Sequence, residues 1–135
     1  MTVNDVYILA KAWMFEKASS NIYDSYIIQV CNKCLAELYN ENNMCRMFNG
    51  KLPFVDGIQA HQVNTLSDEL DYEEEYLYDV LPKGIAANFL MDDDLSKMSI
   101  YQTEYNNARV VHQKMVSQDI VDELTANALS ASATV

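Results

Sequence analysis

The sequence predicts an all-α protein: a compact bundle of four to five helices, a long irregular 52–70 loop and an extended C-terminal arm. Three observations predict it. Apolar residues recur at helical spacing in four separate segments. Three glycines and two prolines are too few for the many tight turns of an all-β chain. Half of the 135 residues are apolar or aromatic, which fills a core without disulfide staples and argues against disorder. The length fits one helical domain, 1–116, followed by an arm, 117–135.

The first helix is expected over Val3–Lys17. Thr2 caps it, and Asp5 sits in the first turn, where the helix dipole favours an acid. Val6, Leu9, Ala10 and Trp13 share one face. Ala18-Ser19-Ser20-Asn21 reads as a turn. The second helix follows Asp24 as its cap, with Ile27, Cys31, Cys34, Leu35 and Leu38 as its apolar face. Asn40, Asn42 and Asn43 are expected to weaken its far end, and Gly50 to terminate it.

Leu52 to Leu70 has no 3.6-residue period, and Pro53 and Gly57 punctuate it. Phe54-Val55 or Ile58-Gln59-Ala60 is the candidate for a short extended piece. So long a connection in a compact domain is a functional or mobile segment. The third helix begins near Tyr72, with Asp71 as cap and Glu74 three residues on. Leu77, Val80, Leu81, Gly84, Ile85, Asn88 and Phe89 trace its buried stripe. Pro82 has no amide to donate and crowds the carbonyl of Tyr78, so the helix either kinks there or restarts.

The fourth helix starts after Asp92-Asp93-Asp94. Leu95, Met98, Tyr101, Tyr105, Ala108, His112 and Met115 form a narrow packing seam. The tail from Ser117 holds one apolar-acidic piece, Asp119-Ile120-Val121-Asp122-Glu123-Leu124, and ends in small residues, Ser130 to Val135. It reads as an arm that orders on binding.

Nine basic and twenty acidic residues give a net charge of -11. That field repels nucleic acid and favours basic partners. No basic stretch followed by an apolar run marks a secretory leader, and no run approaches the length of a membrane span. Three cysteines, an odd number, fit a reduced intracellular environment.

Candidate chemistry is sparse. Cys31 and Cys34 have C-x-x-C spacing, but a structural zinc needs four soft ligands, and only Cys45 and the isolated His61 and His112 remain. On a helical apolar face cysteine acts as a small hydrophobe. Neither histidine has a nucleophile elbow beside it. The acids Asp68, Glu69, Asp71 and Glu73 to Glu75, and the group Asp92 to Asp94, lack calcium-hand spacing and read as solvated helix caps. No glycine-rich phosphate loop is present. Nine tyrosines point to half-buried packing or protein contacts. The expectation is no catalytic residue, no cofactor and no metal.

Several stretches carry a family resemblance: Tyr72-Glu73-Glu74-Glu75-Tyr76-Leu77, Leu81-Pro82-Lys83-Gly84-Ile85-Ala86-Ala87 and Leu90-Met91-Asp92-Asp93-Asp94. Tyr105 with Asn106-Asn107-Ala108-Arg109, and Thr2-Val3-Asn4-Asp5-Val6-Tyr7, add to it. Together they resemble the small helical head–tail adaptor proteins of tailed bacteriophages, also called connector or head-completion proteins. The likeness touches most of residues 2–116, is weaker over Leu52 to Val63, and has no match after Ser117. Lys83 departs from the pattern at a position that reads as structural.

The resemblance implies a homo-oligomeric ring, usually of about twelve copies. Such a ring sits in the virion neck below the portal protein and meets the next neck or tail protein. It is made in the host cytoplasm, has no membrane partner and lets DNA pass without specific binding. Twelve copies at the charge of this chain would total about -130, a field that keeps DNA from adhering to a channel. The residues expected to make protein contacts are Phe54, Val55 and Ile58 in the loop and Asp119, Ile120, Val121 and Leu124 in the arm. Two alternatives stand beside this reading. One is an acidic DNA mimic or other inhibitor that binds a host protein. The other is an enzyme using clustered carboxylates and a divalent metal.

Overall fold

Four helices build the fold: α1 (Val3–Trp13), α2 (Ile27–Phe48), α3 (Leu81–Phe89) and α4 (Leu95–His112). They are seen in a computed structural model that describes residues 1–91 and 95–114. Asp92 to Asp94, Met115 and the whole expected arm, 117–135, lie outside the described residues. Among the described residues there is no strand; a single antiparallel bridge joins Thr2 to Glu69. The all-α expectation holds. Helix α3 is the hub and packs against α1, α2 and α4. Val6, Tyr7 and Ala10 meet Leu35 and Leu38, Leu81 and Ile85, and Tyr105 in one buried cluster. No described helix is long and apolar enough to cross a membrane.

Helix α1 starts as expected. The Thr2 hydroxyl accepts from the Asp5 amide, and the Asp5 carboxylate accepts from the Thr2 amide. It ends at Trp13, short of the expected Lys17. The Phe15 amide donates to Ala12 O at 3.1 Å and the Glu16 amide to Lys11 O at 2.8 Å. This is the Schellman closure, and it places Phe15 in left-handed backbone at φ 60°. The buried face is also rotated from the expected one. Val3, Val6, Tyr7, Ala10 and Lys11 are buried, while Trp13 is more than one-third exposed.

Buried Lys11 is satisfied locally. Its Nζ donates to Ala18 O at 2.9 Å and lies 3.9 Å from the Tyr7 ring centroid. The Tyr7 hydroxyl donates to Asp24 at 2.7 Å. Asp24 is therefore not the cap of α2. That position falls to Tyr26, which makes no side-chain cap bond.

Helix α2 runs through Asn40, Asn42 and Asn43 and ends at Phe48, just ahead of Gly50, the expected terminator. It closes with the same Schellman bonds as α1, from Gly50 to Met47 O and from Lys51 to Arg46 O, with Gly50 at φ 79°. The loop after it is irregular, as expected. Ile58-Gln59-Ala60 is not extended but belongs to a 3₁₀ turn, Ile58–His61.

The third helical run opens at Glu74 and passes through a π-turn, Tyr76–Val80, before α3 begins. The Leu81 amide reaches back to Tyr76 O, five residues away. Pro82 offers no amide to Tyr78, so the ladder widens just ahead of it. Proline then falls in the first turn of α3, directly after the widened turn. Asp71 does not cap this run, because its carboxylate is held by His61. The Glu73 amide is satisfied from α2 instead, by Asn42 Oδ1 at 2.8 Å.

Helix α4 buries Tyr101, Tyr105 and Ala108, with Met98 packed beside them. Leu95, expected in the seam, is largely exposed. Gly84 lets α3 and α4 approach: a Cβ there would stand 2.7 Å from a Tyr105 ring carbon.

Candidate interaction surfaces

The 52–72 segment is laced to one face of α2. Asn32, Tyr39 and Asn43 are spaced by whole helical turns and point the same way. The Asn32 amide donates to Val63 O at 2.9 Å and accepts from the Val63 N–H at 2.7 Å. Asn43 does the same to Phe54, at 3.2 and 2.8 Å. The Tyr39 hydroxyl adds a bond to Phe54 O at 3.1 Å. Each asparagine offers one donor and one acceptor, as a neighbouring strand would, and satisfies backbone groups that an irregular segment leaves open.

His61 closes the same segment on itself. Its Nδ1 lies 2.5 Å from an Asp71 oxygen and its Nε2 2.6 Å from an Asp56 oxygen. The ring stacks on Phe54 at 3.8 Å. Burial works against the charged imidazole, but the hydrogen bonds to Asp56 and Asp71 outweigh it, and the His61 pKa is raised. The hydrogen bond from His61 holds the Asp56 carboxyl below the usual range. The raised pKa favours the charged imidazole, which the two carboxylates hold from either side.

Phe54 is thus a half-buried anchor of the loop, with the Arg46 guanidinium 4.2 Å from its ring centroid. Val55 and Ile58 face outward, 50% and 40% exposed. The other contact candidates, Asp119, Ile120, Val121 and Leu124, lie outside the described residues.

A second surface opens where α1 ends against α4. Trp13, Met14, Leu90, Ile100 and Tyr101 enclose a groove of about 290 Å³. The Tyr101 hydroxyl donates to Trp13 O and fixes its floor. Phe15 stands at its edge, 94% exposed. Lys97 and Glu104 also line it, and Lys83 Nζ is 4.7 Å from the Trp13 ring centroid. Sequence reasoning missed this surface. Trp13 fits the apolar period of α1, and nothing in Met14-Phe15-Glu16 announces a helix stop, since the glycine that normally fills the left-handed position is absent.

The remaining polar groups mostly hold the bundle together. Glu41 on α2 takes Arg109 of α4 at 2.9 to 3.2 Å through two guanidinium nitrogens. Asp79 accepts from Lys83 at 2.7 Å and lies 2.8 Å from His112. Glu73 is buried, and burial alone would raise its pKa. Hydrogen bonds from Asn49 and Lys51, with the Lys51 and Arg46 charges, reverse this and lower it.

Cys31, Cys34 and Cys45 are buried free thiols. Burial pushes Cys31 up to about 12 and Cys45 to about 11, and raises Cys34 as well, so all three are protonated at neutral pH. Among the described residues no cluster of three or more His, Cys, Asp or Glu is placed to hold a metal ion. No family model, curated protein or solved structure matches the chain.

Proposed function

We propose that this chain is a structural component of a tailed-phage particle: a head–tail adaptor that forms a ring below the portal, joins the filled head to the neck or tail and extends the DNA channel. One observation carries the reading beyond the resemblance. Apolar side chains recur on the outside of α4 and at the end of α1. Phe15, Leu95, Ile100, Val110 and Val111 are each more than half exposed. Scattered single apolar residues need no explanation, but a helix that repeats them on its outer face is suited to burial against another chain.

The net charge of -11 favours the second reading, an acidic mimic of DNA that binds a host protein. Many of the acids are engaged within the fold, however. Asp5 and Asp68 hold turns, Asp56 and Asp71 hold His61, and Glu41, Glu73 and Asp79 hold basic partners. Those carboxylates are not free to imitate a phosphate stripe.

Quantitative mass spectrometry of purified particles separates the two readings. A copy number matching that of the portal protein supports the adaptor. A chain found in infected cells and never in particles sinks it, and salt-sensitive capture of a DNA-binding host protein then supports the mimic.

A further inference from the structure

Asn49 is the only asparagine of the chain that is followed by glycine. That pair favours one spontaneous reaction. The backbone nitrogen after the asparagine loses its proton to hydroxide and attacks the side-chain Cγ. A C–N bond forms, the bond to Nδ2 breaks, and the amide group takes a proton from water and leaves as ammonia. Water then opens the five-membered imide to aspartate or, at the other carbonyl, to isoaspartate. The net change is one water taken up and one ammonia released. Glycine suits the reaction because no Cβ crowds the attacking nitrogen.

The fold exposes this pair to water at the end of α2 and restrains it in three ways. Asn49 has ψ 5°, so the Gly50 nitrogen eclipses the Asn49 nitrogen and stands away from the side chain it would attack. The Gly50 N–H donates to Met47 O at 3.0 Å as part of the helix closure. The Asn49 Nδ2 donates to Glu73 Oε1 at 3.0 Å. Closing the imide ring requires rotation about ψ, which breaks the bond to Met47 O. The reaction therefore runs through an opened helix end.

The product does not suit the place of the amide. Glu73 is buried and ties Asn49, Lys51 and Arg46 to the start of the third helical run. A carboxylate in place of the Asn49 amide sets two anions at hydrogen-bond distance. Glu74 and Glu75 line the same cleft and add to the repulsion. The new charge also stands at the C-terminal end of α2, where the helix dipole disfavours an anion.

We propose that Asn49 is a self-modification site, held back by the closure of α2, and that its conversion to a carboxylate is a one-way change that loosens the Glu73 junction between α2 and the third helical run. The proposal does not depend on the adaptor reading. Asp56–Gly57 supplies the contrast. The Asp56 carboxylate is 2.6 Å from His61 Nε2 and is held in its ionised form, a poor electrophile.

The test keeps the full chain in mildly alkaline buffer, with and without denaturing urea, and follows ammonia release, intact mass and peptide maps. In urea Asn49 should convert before any other asparagine and before Asp56 isomerises. Without urea Asn49 should still convert, about tenfold or more slowly, because only the opened helix end reacts. Asn49→Asp should lower the urea midpoint further than Asn49→Ala, which loses the same hydrogen bond without adding charge. Glu73→Gln should narrow the gap between those two variants.

Three results overturn the proposal: equal rates in the folded and unfolded chain, an Asn49 that never converts while folded, or an Asn49→Asp variant as stable as Asn49→Ala.

Discussion

Phe15 and Gly50 occupy the same position in the same helix-closing motif, and only one of them suits it. Glycine takes positive φ without a Cβ penalty, whereas phenylalanine takes it at a cost. Phe15→Gly is therefore expected to stabilise the monomer by about 1 kcal/mol, read from urea denaturation, while weakening any contact made through the groove. A loss of stability would mean that the Phe15 ring supports the fold. Gly84 makes the opposite case. Its φ is ordinary, but the Tyr105 ring lies where a Cβ would go, and Tyr105 is itself buried. Gly84→Ala is expected to destabilise by about 1 to 3 kcal/mol through overpacking, lowering the urea midpoint with little change in slope.

Among the elements, α2 shows how residues of poor helix propensity can serve tertiary structure. Asparagine is unfavourable within helices because its amide competes for nearby backbone. Here the Asn32 and Asn43 amides bond the backbone of a different segment, so the local penalty is outweighed by two pairs of tertiary bonds. The His61 clamp gives that segment a pH dependence. Its folded pKa lies above the ordinary 6.5, so its contribution is complete below 6.5 and is lost as pH rises through the folded value. Thermal melts of the protein and of His61→Gln should differ most in mild acid and converge as the imidazole deprotonates. A gap that widens with rising pH would contradict the clamp. The π-turn before Pro82 was half legible: proline announced a kink or a restart, and the structure instead widens the ladder over Tyr76–Val80, whose Tyr76, Leu77 and Val80 are buried.

For the whole molecule, the decisive feature is how much apolar surface the bundle leaves outside. Helix α4 covers α3 with Tyr101, Tyr105 and Ala108 and turns Ile100, Val110 and Val111 outward. Removing residues 117–135 is expected to leave helical circular dichroism unchanged and to weaken assembly. If the truncated chain loses its helical signal, that stretch belongs to the folded domain and is not an arm. The net charge acts at this scale too. Copies at -11 repel one another, so association needs local complementarity, and raised salt should assist it by screening the general repulsion.

Sequence by itself determined the helical class, the Thr2–Asp5 cap, the irregularity of the 52–70 connection and the break near Pro82. Each depends on periodicity or on backbone chemistry within a few residues, which the order of residues records directly. Only the tertiary structure decided that Asp24 and Asp71 serve Tyr7 and His61 rather than helix ends. Nor could the sequence show that Asn42 caps the third helical run from another helix, or that Trp13 and Phe15 edge a groove. Those outcomes depend on partners distant in the chain, and a side chain that can satisfy several neighbours equally well is assigned only when packing fixes which of them comes within reach.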